Sequence, residues 1–267
     1  MRTDQFKNVL AQRNQVLWMI LAFQSGFMNA GGFLSCHQFV SHITGYGTEV
    51  GIEVGQKAYF AAFGTALAPL FFLFGAIYAG WLVDRRVIQG KEPRLETGIV
   101  TLALLNLAIY AGGLAGFFGE FGEPLILSRD FLLLFSLCFA CGLQNGLFTG
   151  LTSGQVRTTH ITGPTTDIGL NIAKAFTLGR DDPERGTLVA QNWLRAKVII
   201  AFSGGSMIAT MAFSQLKYEG FAIPFALSLF LIWYIRKLLR LAHGATAAAE
   251  SPSVMVPVEP TNGGGVA

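Results

Sequence analysis

Phe39-Val-Ser-His42-Ile-Thr44-Gly45-Tyr46-Gly-Thr48-Glu49-Val-Gly51 and Val156-Arg157-Thr-Thr-His160-Ile-Thr162-Gly163-Pro-Thr-Thr166-Asp167-Ile-Gly169 decide how this chain is read. Counted from the histidine, both copies carry Thr at +2, Gly at +3, Thr at +6, an acid at +7 and Gly at +9. Each copy follows a glycine-led polar step inside an apolar run, Gly26-Phe-Met-Asn29 or Gly142-Leu-Gln-Asn145. The asparagines lie 116 residues apart and the histidines 118, so the chain reads as an internal duplication of about three helices per half.

What surrounds the two copies is membrane-like. Of 267 residues, 52% are apolar, 12% aromatic and only 13% charged, with a mean hydropathy of +0.48. Soluble domains carry about 25% charged residues. Apolar windows at 16–33, 59–83, 98–118, 131–151, 196–213 and 221–235 are each continuous rather than alternating. They predict an all-α integral membrane protein of about six transmembrane helices, since a bilayer crossing takes roughly 20 residues. One membrane domain is expected over 1–242, with repeat one at about 14–118 and repeat two at about 130–242. The Ala-, Pro- and Gly-rich stretch 243–267 reads as a disordered tail. The first apolar run continues into the repeated motif, so it reads as a retained helix and not a signal peptide.

Basic residues set the expected orientation. Fourteen of the 19 Lys and Arg fall in the N-terminal tail, the second and fourth connections and the segment after the last window. Both termini are therefore expected in the cytoplasm. The first and fourth helices then start from opposite sides, and the two motifs enter the membrane in opposite senses. That is an inverted-topology repeat, whose substrate sites sit near the midplane on helices broken at Gly or Pro. A broken helix at each His-x-Thr-Gly segment is expected, with Thr48 or Thr166 capping a new half-helix whose N-terminus suits an anion.

The candidate substrate-binding residues are Asn29, His42, Thr44, Asn145, Arg157, His160, Thr162 and Thr166; the candidate ion-coupling residues are Glu49, Glu53 and Asp167. Ionisable groups at membrane depth are costly and mark function more often than not. Each candidate has a structural alternative. His42 and His160 either contact substrate or brace the break, and Asn29 and Asn145 can bridge helices. Glu49 and Asp167 can serve as capping or pairing groups only. Glu53 shares a helix face with Glu49 but has Asn171 as its counterpart, which points to one acidic half-site. Arg157 has no cationic counterpart in the first copy; it either reads a carboxylate or phosphate or anchors at the interface. Lys174, on the amphipathic stretch 168–178, reads as interfacial.

Other classes are disfavoured. A net charge of +3 spread in short clusters argues against nucleic acid. Cys36, Cys138 and Cys141 read as packing residues, and no metal-ligand set, cofactor motif, ATP-binding glycine loop or nucleophile motif is present. The partners expected are the lipid bilayer and a small-molecule or ion substrate, and a homo-oligomer is compatible. The expectation is a secondary transporter for a small polar or anionic solute, working by alternating access with proton or cation coupling, and not an enzyme. A passive channel, an intramembrane enzyme built on the histidines and acids, and a membrane scaffold are the alternatives.

The combined motif, Gly26-Phe-x-Asn29-Ala30, Phe39-Val-Ser-His42-x-Thr44-Gly45, Gly142-Leu-Gln-Asn145 and Val156–Gly169 as quoted above, resembles the YoaK-like (DUF1275) family of bacterial integral membrane proteins, a family of unknown function. The resemblance spans nearly all of 16–241. It implies a bacterial inner-membrane protein of about six helices, described as a transporter without an established substrate. Tyr46 departs from the pattern, which has Asn after Thr-Gly.

Overall fold

The computed structural model describes residues 4–123, 128–152, 154–159 and 161–250, with side chains placed for 6–123, 131–152, 154–159 and 161–241. The described residues are all-helical, with no strand among them. After a 3-10 turn at Asp4–Lys7 come α1 (Gln12–Cys36), α2 (Ile43–Gly55), α3 (Tyr59–Leu82), the short α4 (Asp84–Ile88) and α5 (Leu95–Leu114). Then follow α6 (Ser128–Leu151), α7 (Thr162–Thr177), α8 (Pro183–Leu216), a 3-10 turn at Lys217–Phe221 and α9 (Ala222–Glu250).

Five segments are long and apolar enough to cross a membrane: Gln12–Cys36, Tyr59–Ile88, Leu95–Leu114, Phe131–Leu151 and Pro183–Leu241, the last holding both α8 and α9. Their outer faces are apolar. Phe63, Trp81, Leu104, Met207, Met211 and Trp233 are each more than half exposed, a perimeter that suits hydrocarbon and not water. Helix α8 is longer than its apolar window because Asp182 and Pro183 start it early. The Asp182 carboxylate accepts the Glu184 N–H at 2.8 Å, and proline fits the first turn, where no N–H partner is needed. At the other end of the chain α9 runs to Glu250, eight residues past the expected start of the tail; the remainder of that tail lies outside the described residues.

Two close crossings organise the bundle. Helix α1 lies along α8 and α6 lies along α3. In the first, a Cβ on Gly26 would overlap the Phe202 carbonyl, and one on Gly205 would overlap the Phe23 carbonyl. In the second, Gly142 meets the Phe72 carbonyl and Gly75 meets that of Phe139 in the same reciprocal way. Backbone-to-backbone approach of this kind is how helices associate in lipid, where no hydrophobic force drives them together.

Inside, large side chains fill the space between the helices: Trp18, Phe27, Phe148, Phe213 and Phe221 are buried. The interior also holds a polar belt. Gln24 and Asn106 both donate to the Pro224 carbonyl and to Ser228 Oγ, tying α1, α5 and α9, while Gln144 donates to the Leu21 carbonyl and Ser25 Oγ at 2.8 Å each. The three cysteines are buried and free, with Cys36 Sγ donating to the Gly32 carbonyl at 3.0 Å.

A glycine at a crossing has no room for a side chain, whereas Gly51 has nothing within 4 Å. Gly26→Val and Gly142→Val should therefore each destabilise the protein by about 2–3 kcal/mol through overpacking against an immovable carbonyl. Gly51→Ala should leave stability equal or raised by up to about 1 kcal/mol through helix propensity. Thermal unfolding of the three variants in detergent checks this ranking, and equal melting temperatures would refute it.

Candidate functional site

The first copy of the motif builds a cleft at the C-terminal end of α1. His37, in the left-handed region at φ 55°, closes the helix as its N–H reaches the Phe33 carbonyl at 2.8 Å. Its Nε2 lies 2.9 Å from the Gly122 carbonyl in the connection that follows α5. The chain then doubles back along α1. Val40 packs on Gly32, and Asn29 Oδ1 accepts both the Ser41 N–H at 3.1 Å and the Ser41 hydroxyl at 3.0 Å. Asn29 lies seven residues before Cys36, so the return covers about 10 Å. Asn29 thus holds the reversed segment against its own helix.

Helix α2 begins there. His42 occupies its N-cap position without a side-chain cap and is exposed, 5.2 Å from the Phe39 ring. Tyr46 is buried, its hydroxyl 3.4 Å from Cys138 Sγ, ten residues or about 15 Å into α6. The aromatic that departs from the family pattern therefore fastens the start of α2 to the middle of α6. One turn further on, Gln38 Nε2 donates to Glu49, and Thr65 Oγ1 of α3 donates to Glu53 at 3.1 Å. The second Glu53 oxygen is buried with no partner. Both carboxylates line one open cavity of about 380 Å³ with Cys36, His37 and Gln38. Neither pairs with a cation among the described residues. The expectation that Glu49 and Glu53 share a face holds.

The second copy builds a cleft at the other end of the bundle, between the segment after α6, the start of α7 and the flank of α8. Thr152 Oγ1 donates to the Phe148 carbonyl at 2.8 Å and accepts the Val156 N–H at 3.2 Å, which turns the chain back from α6. The N-terminal turn covers this end, with Phe6 edge-on to Trp18 and the Trp18 indole donating to the Val9 carbonyl at 3.2 Å. Here the acid is paired: Asp167 Oδ2 lies 3.3 Å from Arg195 Nη2. Asn171 Nδ2 donates to Asn192 Oδ1 at 3.1 Å, and Asn192 Nδ2 donates to the Ile168 carbonyl at 3.3 Å, so α7 is laced to α8. A cavity of about 80 Å³ opens beside this lacing, with Arg157, Arg195, Gln155, Gln191 and Pro164 on its wall.

Other expected residues fall elsewhere. Thr44, Thr162 and Thr166 are exposed on α2 and α7, with Thr166 Oγ1 bonded only to the Thr162 carbonyl at 3.1 Å. Asn145 accepts from Thr149 Oγ1 at 3.4 Å on its own helix. Lys174 is exposed in the last turn of α7, and His160 lies outside the described residues. One expectation is corrected. Thr48 and Thr166 are not helix caps, because α2 starts at Ile43 and α7 at Thr162. Pro164 in the first turn of α7 favours that early start, and neither Gly45 nor Gly163 stops its helix.

The two clefts share no lining residue. Sequence reading missed Thr65, Gln38, Gln191 and the pairing of Arg195, because each reaches its cleft from a neighbouring segment. Spacing carried a signal, since Thr65 and Arg195 are 130 residues apart, as are Gly75 and Gly205.

Fold and clefts define an all-helical protein of the membrane type, with apolar helices crossing on glycine and two polar pockets at opposite ends of α1. The chain belongs to the DUF1275 family, described as protein of unknown function, whose family model matches residues 17–234. No curated protein and no solved structure is significantly similar to it.

Asn29→Ala should strand the buried Ser41 N–H and hydroxyl, costing about 1–3 kcal/mol. Thr166→Val, on an exposed face, should change stability by less than about 0.5 kcal/mol. Melting temperatures in detergent check the contrast, and limited proteolysis near Val40 should speed up in the Asn29 variant alone.

Proposed function

We propose that this protein is a secondary transporter of the bacterial inner membrane, moving a small polar or anionic solute by alternating access between two inverted halves. The observation that carries this reading is the pair of clefts at opposite ends of α1, each beside one copy of the motif and the two unequal in charge. Glu49 and Glu53 line one with no cationic partner among the described residues, and beside the other Asp167 is paired with Arg195.

Several features support inverted halves. The crossing glycines and their carbonyl partners recur at fixed offsets: Phe23 and Gly26 match Phe139 and Gly142 at 116, and Phe72 and Gly75 match Phe202 and Gly205 at 130. With α8 and α9 counted separately there are six crossings, three per half, and an odd number per half reverses the second copy. In this reading the segment 37–42 and α2 form a re-entrant element, tolerable because Ser41 and Tyr46 are satisfied by protein groups. The distribution of basic residues supports both termini in the cytoplasm, with the Glu49–Glu53 cleft facing outward.

The filled interior favours a carrier over a channel. Trp18, Phe27, Phe148 and Phe213 close the space between the halves, so passage requires a change of packing rather than an open pore. Coupling falls to Glu53 and Glu49. Two carboxylates one helical turn apart repel, and uptake of a proton or cation relieves that repulsion. Asp167 already has its counter-charge and instead fastens α7 to α8.

Uptake in proteoliposomes tests the coupling, with radiolabelled phosphate, acetate, lactate, succinate and glycerol supplied outside under an inward gradient of one pH unit. At one proton per solute, accumulation should reach about tenfold for at least one of these solutes. Glu53→Gln should abolish accumulation and preserve solute counter-exchange. Flux that ignores the gradient in wild type and variant alike would overturn coupling.

A further inference from the structure

Arg157 is a cation that the described fold does not use. Its guanidinium has no hydrogen-bond or ion-pair partner among the described residues, and its Nη1 lies 3.4 Å from where a Cβ on Gly163 would stand, at the first turn of α7. Arg195 faces the same cavity and is only partly satisfied, with Asp167 at 3.3 Å and Asn192 Oδ1 at 3.4 Å. Asp167 is itself about half exposed. The cleft therefore holds two guanidiniums against one loosely held carboxylate, an excess of one positive charge.

The rest of the lining is selective. Gln155 and Gln191 supply amide groups, while Val9, Val156, Leu194 and Val198 make an apolar floor. The first turn of α7 adds the positive end of a 16-residue helix that has no side-chain cap. At about 80 Å³ the cavity is much smaller than the 380 Å³ cleft beside Glu49 and Glu53, which favours a small ligand group.

We propose that this cleft binds a small oxyanion, a carboxylate or phosphate group, held by Arg157 as a two-pronged donor and by Arg195, which exchanges Asp167 for the ligand. Guanidinium forks match carboxylate and phosphate geometry. Ligand binding releases Asp167 and so removes the charged tie between α7 and α8, leaving the Asn171–Asn192 and Asn192–Ile168 bonds. The proposal deepens the transport reading by naming the chemistry of the carried group. The same oxyanion can come from a free solute or from the head group of an anionic lipid.

Binding is measured on the full chain in an uncharged detergent, titrated with inorganic phosphate and separately with butyrate at constant ionic strength. A parallel arm uses nanodiscs of phosphatidylcholine with and without phosphatidylglycerol, and native mass spectrometry counts the retained anionic lipid. Saturable binding of phosphate or butyrate, weakened about tenfold or more in Arg157→Gln with an unchanged ligand-free melting temperature, supports a solute site. Retention of phosphatidylglycerol alone, lost in the same variant, supports the site with lipid as its source. Asp167→Asn removes the internal competitor and should tighten binding severalfold, a gain that a purely structural role for Arg157 and Arg195 would not produce. Absence of binding in both arms, or binding indifferent to Arg157→Gln and Asp167→Asn, overturns the proposal. Binding is read here without transport, so its failure leaves the Glu53 uptake result standing, and failed uptake leaves a positive binding result standing.

Discussion

Everything in this bundle depends on four places where a helix backbone touches another helix backbone. Gly26 and Gly205 let α1 meet α8, and Gly142 and Gly75 let α6 meet α3. In lipid such contact replaces the hydrophobic force as the source of cohesion. It also decides where the polar elements go. Helix α2 leans on α3, which is locked to α6, and this brings Tyr46 to Cys138. Helix α7 leans on α8, which is locked to α1, and this brings its cleft to Val9 near the start of α1. Each short helix thus rests on a long neighbour that a close crossing fixes in place.

From that shared construction the two clefts diverge by a few substitutions. Thr65 in one corresponds to Arg195 in the other, and Glu53 corresponds to Asn171. At one end two carboxylates have no cationic partner among the described residues, and at the other a carboxylate is paired and a second guanidinium stands nearby. The two clefts therefore make opposite electrostatic demands. The crossing glycines tolerate no side chain, whereas the clefts, being open, tolerate many.

Much of the fold was legible because its signals are local. The apolar windows at 59–83 and 131–151 match α3 and α6 to within a few residues. Helix α8 was only half visible, since its first turns, with Asp182, Glu184 and Arg185, are polar and helical for reasons of capping rather than hydropathy. The acid pair Glu49–Glu53 was readable from its four-residue spacing. Its hydroxyl partner Thr65 was not, because hydrogen bonds between neighbouring helices leave no mark on either helix's own periodicity. The cap assignments failed for a related reason: Thr-Gly resembles a helix stop, but Gly45 and Gly163 lie in first turns, where a helix has little left to lose.

Helix α8 carries one consequence beyond its packing. It has no proline after Pro183, and its 34 residues make a rod of about 51 Å. Gly205 fixes it against Phe23 about two thirds of the way along, with Arg195 about 15 Å to one side and Phe213 about 12 Å to the other. Phe213 sits among Phe27, Phe121 and Phe221, and Phe121 adjoins the Gly122 carbonyl that holds His37. Arg195, with its Asp167 pair, and the aromatic cluster around Phe213 therefore sit on one continuous rod, on opposite sides of the crossing that fixes it.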